Sequence, residues 1–179
     1  MLLFLLAGTG EPQGTQPTLL LKATYEPGGT CDDCYEWRIS IYTDGGSKLE
    51  AKTKPGWNAP DEWTITSDRQ LSQKQVGRIV AAVTNSQFLS LSPRYSADYE
   101  MANGSFAIVT DQDTVTIWAR LGNQENQVHV YGPEVVAGLS SPDRTHADRE
   151  AGKRFCIVWA QVLDAVKSPN RWQKAKYYR

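Results

Sequence analysis

Cys31 and Cys34 stand two residues apart behind the Gly28-Gly29 turn, with Asp32 and Asp33 between them. That spacing suits a metal clamp, a redox centre or a staple. A structural zinc site needs four Cys or His ligands. The chain has only Cys156, His129 and His146 to add, and no second closely spaced pair. A reactive dithiol wants its thiolate at a helix N-terminus. Here the pair precedes a strand-like run, and two carboxylates oppose a thiolate. A staple needs only an oxidising compartment and alpha carbons within about 7 Å. A local Cys31–Cys34 disulfide is therefore the expectation, with no metal, no cofactor and Cys156 a buried thiol. Two free thiols remain the alternative. So small a loop should contribute less than the ~3 kcal/mol of a 15-residue one.

Nucleophilic and phosphate chemistry find few candidates. The chain carries no Gly-x-Ser-x-Gly, no His-Glu-x-x-His and no phosphate-cradling glycine loop. His129 alternates with Val128 and Val130, so it belongs on the strand face opposite them. His146 sits at a helix start. Asp111 and Asp113 read as turn chemistry; either that pair or Asp98 with Glu100 could at most make a weak calcium site. No catalytic residue is assigned.

Aromatic and charged residues point instead to binding. Trp57, in "PGWNAP", is presented on a loop, where it either caps the core or anchors a partner or a sugar ring. Trp37, Trp118 and Trp159 are expected in the core. Five cations follow Asp164 and no acid does, so of a net charge of −1 the preceding chain carries −6. In that tail Arg171, Trp172, Lys174, Lys176, Tyr177 and Tyr178 mix cations with rings, which suits a headgroup layer or an acidic protein surface. Leu2, Leu3 and Phe4 open an apolar run to Ala7, read either as a remnant secretion signal or as a retained docking arm. No global basic field exists to gather nucleic acid.

These residues need a scaffold, and 179 residues suit one domain. Residues 18–25 read as a strand. Tyr35, Trp37, Ile39 and Ile41 alternate with Glu36, Arg38, Ser40 and Tyr42, and Asp44-Gly45 signals a hairpin back through 47–53. A short strand follows at 62–66. Ser72 and Gln75 form a capping box and Leu71 and Val76 a hydrophobic staple, predicting a helix over 72–86. Strands are predicted at 104–110, 114–121 and 127–132. Thr145 can cap a helix over 147–167 whose stripe is Phe155, Val158, Trp159, Val162, Leu163 and Val166. The expected class is α+β in βββα-βββα order: a mainly antiparallel sheet with two main helices on one face. Residues 1–17 are an arm or signal with linker, 18–167 the domain, and 168–179 the tail.

"GTCDDCYEWRISIYTDG" and "LSQKQVGRIVAAVTNSQFLSLSPRY" together resemble a family of bacterial envelope proteins known as a domain of unknown function. The shared features are a Gly-x-Cys turn, a Tyr-rich strand, an Asp-Gly hairpin and a helix with a Phe-Leu-x-Leu exit. Asp33-Cys34 falls where that family often has proline, and the tail is additional. The resemblance implies secretion and a compact α+β domain, with no reaction attached. The functional expectation is a non-enzymatic envelope or secreted module, periplasmic or extracellular, docking on a protein partner, a membrane complex or a membrane surface. The alternative is a small ligand- or carbohydrate-binding domain, or an enzyme, with a pocket near Trp57 and the 96–104 loop.

Overall fold

A computed structural model describes residues 17–29, 35–53, 63–101, 103–138 and 146–166. Four strands come first: β1 (Leu19–Glu26), β2 (Tyr35–Tyr42), β3 (Gly46–Thr53) and β4 (Thr64–Gln70). Helix α1 (Gln73–Asn85) follows, then a 3-10 turn at Phe88–Ser90. Short strands β5 (Arg94–Tyr95), β6 (Tyr99–Glu100) and β7 (Phe106–Ala107) lead to β8 (Thr114–Leu121) and β9 (Gln124–Tyr131). Helices α2 (Pro133–Val136) and α3 (His146–Val166) close the order. One sheet runs β4-β3-β2-β1-β8-β9-β5, antiparallel except where β5 joins β9, and β6 and β7 pair separately. The α+β class with a mostly antiparallel sheet is therefore what the chain adopts.

Strand parity builds the core. Leu49, Ile39, Ala23, Ile117 and Val128 form one cross-strand row. All five are buried, along with Ile41, Leu21 and Ala119 in the neighbouring row. Against them lie Val76, Ile79 and Val83 of α1, and Phe155, Val158, Trp159 and Val162 of α3. Phe88 meets Phe155 with ring centroids 6.3 Å apart, and Tyr25 stacks on Trp159 at 6.5 Å. The Asp44-Gly45 turn closes β2 on β3 as its residues require. Gly45 has φ of 96°, and the Asp44 carboxylate accepts the Gly46 N–H at 2.9 Å. The Ser72 capping box is formed, and Leu71 and Val76 are both buried beside it.

Three expectations need correction. The order is not βββα twice, because four strands precede α1, and the stretch expected as a strand at 104–110 gives only Phe106–Ala107 to a separate hairpin. Side chains take the backbone groups that a longer strand would need. Asp98 Oδ1 accepts the Val109 N–H at 2.9 Å, and the Tyr131 hydroxyl donates to the Val109 carbonyl at 2.9 Å. Trp118 is not in the core. Val115, Ile117 and Ala119 take the inward positions of β8, and period-two alternation turns Trp118 to the outer face. Trp37 and Trp159 are buried as expected. Thr145 lies outside the described residues.

The end of α1 is pinned from α3. Gln87 takes the left-handed conformation with φ of 51° just past the helix. Arg154 donates its Nε to the Ser86 carbonyl and one terminal nitrogen to the Gln87 carbonyl at 2.6 Å and to Ser90 Oγ at 3.0 Å. One guanidinium thus serves the carbonyl of the cap residue Ser86 and reinforces that of Gln87, which also accepts from the Ser90 N–H. Arg154→Ala should lower unfolding free energy by roughly 1.5–3 kcal/mol, the range for hydrogen bonds to a charged group. Urea unfolding with an unchanged m-value would show it. Arg154→Lys should recover little, since an ammonium cannot reproduce the fork. A midpoint equal to wild type for Arg154→Ala would refute the pinning role.

Candidate functional site

The outer face of the sheet collects the polar side chains that parity turns away from the helices. One row crosses six strands: Glu50, Arg38, Thr24, Thr116, His129 and Arg94. Arg38 grips Glu50 in two parallel hydrogen bonds of 2.8 and 2.7 Å. Lys52 and Glu36, directly opposite each other, pair at 3.3 Å. Trp63 lies over the Arg38 guanidinium, 4.7 Å from ring centroid to charge, and 5.6 Å from the Lys52 ammonium. Arg120 stacks on Trp118 at 5.1 Å and is ion-paired with Glu125. His129 Nδ1 is 3.0 Å from Thr116 Oγ1, on the face opposite Val128 and Val130 as its strand position predicts.

A second feature stands at the end of the sheet where β9 finishes. The β6–β7 hairpin turns through Asn103 and Gly104, and Asn103 Oδ1 accepts from the Ser105 N–H at 3.0 Å and the Ser105 hydroxyl at 2.6 Å. Its base is held by Asp98 and Tyr131 through Val109. Gly132 presses against Ala97 there. A Cβ on Gly132 would lie 2.7 Å from the Ala97 Cβ, and φ of 65° already favours glycine. On this anchored hairpin and the residues just after it, Phe106 and Ile108 expose 65% and 76% of their surface. Among the described residues only Ile65 and Ile157 are comparably exposed large aliphatics.

Beside the hairpin base Asp98 and Asp113 each accept a backbone N–H. Asp113 Oδ1 accepts the Gly28 N–H at 2.9 Å. Burial, then the charge of Asp113 and a hydrogen bond to it, then Glu134, push the Tyr25 hydroxyl well above its ordinary range, so it stays a neutral phenol. Cys156 is buried with its sulfur 3.6 Å from the Pro133 carbonyl. Among the described residues no three metal-ligating side chains gather. An open groove of about 800 Å³ at the far end of β8 and β9 is lined by Val83, Gln87, Leu89, Leu121, Gln124 and Glu125. It holds no paired acid and base.

The residues singled out from the sequence as binding or disulfide positions are Cys31, Cys34, Leu2, Leu3, Phe4, Trp57, Arg171, Trp172, Lys174, Lys176, Tyr177 and Tyr178. All lie outside the described residues. The structure instead brings forward Trp63, Trp118, Arg38 and Arg120 on the outer face, and Phe106 and Ile108 on the hairpin. Parity signalled the first group: Trp118 falls out of step with Val115, Ile117 and Ala119. Acid-rich surroundings signalled the second. From Tyr95 to Ala119 the chain has four acids and no cation.

No protein-family model matches the chain, and no curated protein is similar to it in sequence.

The Arg38–Glu50 pair has a pH consequence. Hydrogen bonds from Arg38 hold the Glu50 carboxyl below its usual range, helped by the charges of Arg38, Lys48 and Lys22 against a smaller opposing effect of burial. A depressed carboxyl contributes its stability fully above the unfolded value of about 4.5 and loses it as pH falls through the lower folded value. Thermal melts between pH 7 and pH 3 should therefore show an acid-side fall in Tm that Glu50→Gln makes shallower. Identical acid slopes for the two proteins would remove Glu50 from the acid response.

Proposed function

We propose that this chain is a non-enzymatic binding module that docks a protein partner through the β6–β7 hairpin. The observation that carries the reading is the exposure of Phe106 and Ile108 on a hairpin fixed at its base by Asp98, Tyr131 and Gly132. Two large apolar side chains, two residues apart, are left mostly exposed to water. Burying each against a partner is worth about 1.5–3 kcal/mol. Such anchors at the centre of a contact carry most of its energy. The apolar start from Leu2 to Ala7 supports an envelope or extracellular setting, with the partner on a membrane complex.

A photo-activated phenylalanine analogue at position 106 or 108 tests the reading in native cells. Expected is a discrete cross-linked species from these two positions and none from the same analogue at Ile157, a half-exposed site on α3. Equal labelling from 157, or none from 106 and 108, would overturn it.

A second reading rests on the outer face. Trp63 and Trp118, each backed by a guanidinium, lie among the hydroxyls of Thr24 and Thr116 and the His129 ring. Ring faces beside hydroxyl-binding donors suit a carbohydrate. Titrating soluble oligosaccharides should then shift tryptophan fluorescence in wild type and much less in Trp118→Ala. A flat titration across neutral and charged sugars would exclude it.

A further inference from the structure

The hairpin surface has a chemical counterpart in the same chain. Asp98, Glu100, Asp111 and Asp113 are the charges between Tyr95 and Ala119, and none is positive. Residues 167–179 carry Lys167, Arg171, Lys174, Lys176 and Arg179 with no acid, and add Trp172, Tyr177 and Tyr178. Glu100 stands directly opposite Phe106 in the hairpin, and cations with rings are what such an apolar patch beside a carboxylate would attract. We propose that segment 167–179 docks in cis on Phe106 and Ile108, shielding the hairpin and competing with the external partner. This rests on the docking role of the hairpin proposed above.

Reach agrees with charge. Gly152, early in α3, is packed on Val136 and Ala137 just after Gly132, at the hairpin's end of the molecule. Ala165, near the end of α3, lies beside Gln75 at the start of α1, accepting from its Nε2 at 3.5 Å. From Gly152 to Val166 the helix advances roughly 21 Å at 1.5 Å per residue. A random coil with as many residues as 167–179 has a root-mean-square span of about 20 Å. A linker whose span matches the gap gives its effective concentration near the maximum, on the order of millimolar. A weak contact is then largely occupied until a partner displaces it.

Zero-length carbodiimide coupling of the full chain, prepared as a mixture of ordinary and nitrogen-15-labelled copies, tests this at low ionic strength. Expected are amide links from Lys174 or Lys176 to Glu100 or Asp111 within single copies. They should weaken at high salt, where screening acts over about 3 Å at 1 M. They should also weaken in Phe106→Ser with Ile108→Ser, two exposed positions whose change leaves the core intact. No such links, or links only between labelled and unlabelled copies, would overturn the proposal. A second arm separates it from the docking reading. Changing Arg171, Lys174, Lys176 and Arg179 together to Gln should raise photo-cross-linking from position 106 several-fold. Unchanged cross-linking would overturn the cis contact while leaving docking intact. Absent cross-linking in both proteins would count against docking, and the carbodiimide links would still decide the contact.

Discussion

Burial of one sheet face against α1 and α3 is the constraint on which the rest of the molecule depends. It forces Leu49, Ile39, Ala23, Ile117 and Val128 into register across five strands. A slip of one residue in any strand would carry its apolar set to the other face. The same register therefore also decides which residues meet on the outer face. Arg38 stands opposite Glu50, Lys52 opposite Glu36, and Thr116 opposite His129 because the inward row leaves them no other neighbours. The outer-face ion pairs follow from the packing of the core beneath them. A change to an inner residue that loosened register would scramble the polar face before it exposed the core.

Much of this was legible in the chain because parity and capping are local signals. Ser72 with Gln75 and the alternation from Tyr35 to Tyr42 both describe elements that form as read. Trp118 was legible too, but its size suggested burial while its phase demanded the outer face. Phase prevailed, since Ile117 and Ala119 on either side are essentially inaccessible. Residues 104–110 were opaque for a different reason. Their composition suits a strand, yet Asp98 and Tyr131 take the backbone groups of Val109 from positions far along the chain. Such competition between side chain and ladder is not written in the segment itself. The parallel addition of β5 to β9 likewise depends on where the 3-10 turn leaves the chain. The cysteine pair, the apolar start, Trp57 and the basic segment remain sequence expectations, because they fall outside the described residues.

The hairpin and the outer face differ in what each would give up on binding. On the outer face Arg38 is committed to Glu50 and Trp63, Lys52 to Glu36, and Arg120 to Glu125 and Trp118. A ligand there must insert between charges that already satisfy one another, or accept only the faces of rings they leave open. Phe106 and Ile108 carry no polar group to desolvate. Their carrier is held at Tyr131 and Gly132, immediately after Val128 and Val130, which are fully buried. The hairpin thus inherits its position from the core, and its ordering cost is met when the chain folds. Preorganised apolar contacts convert the largest share of buried area into affinity. That difference favours the hairpin as the docking element of the proposed function, with the outer face better suited to a small, weakly held ligand.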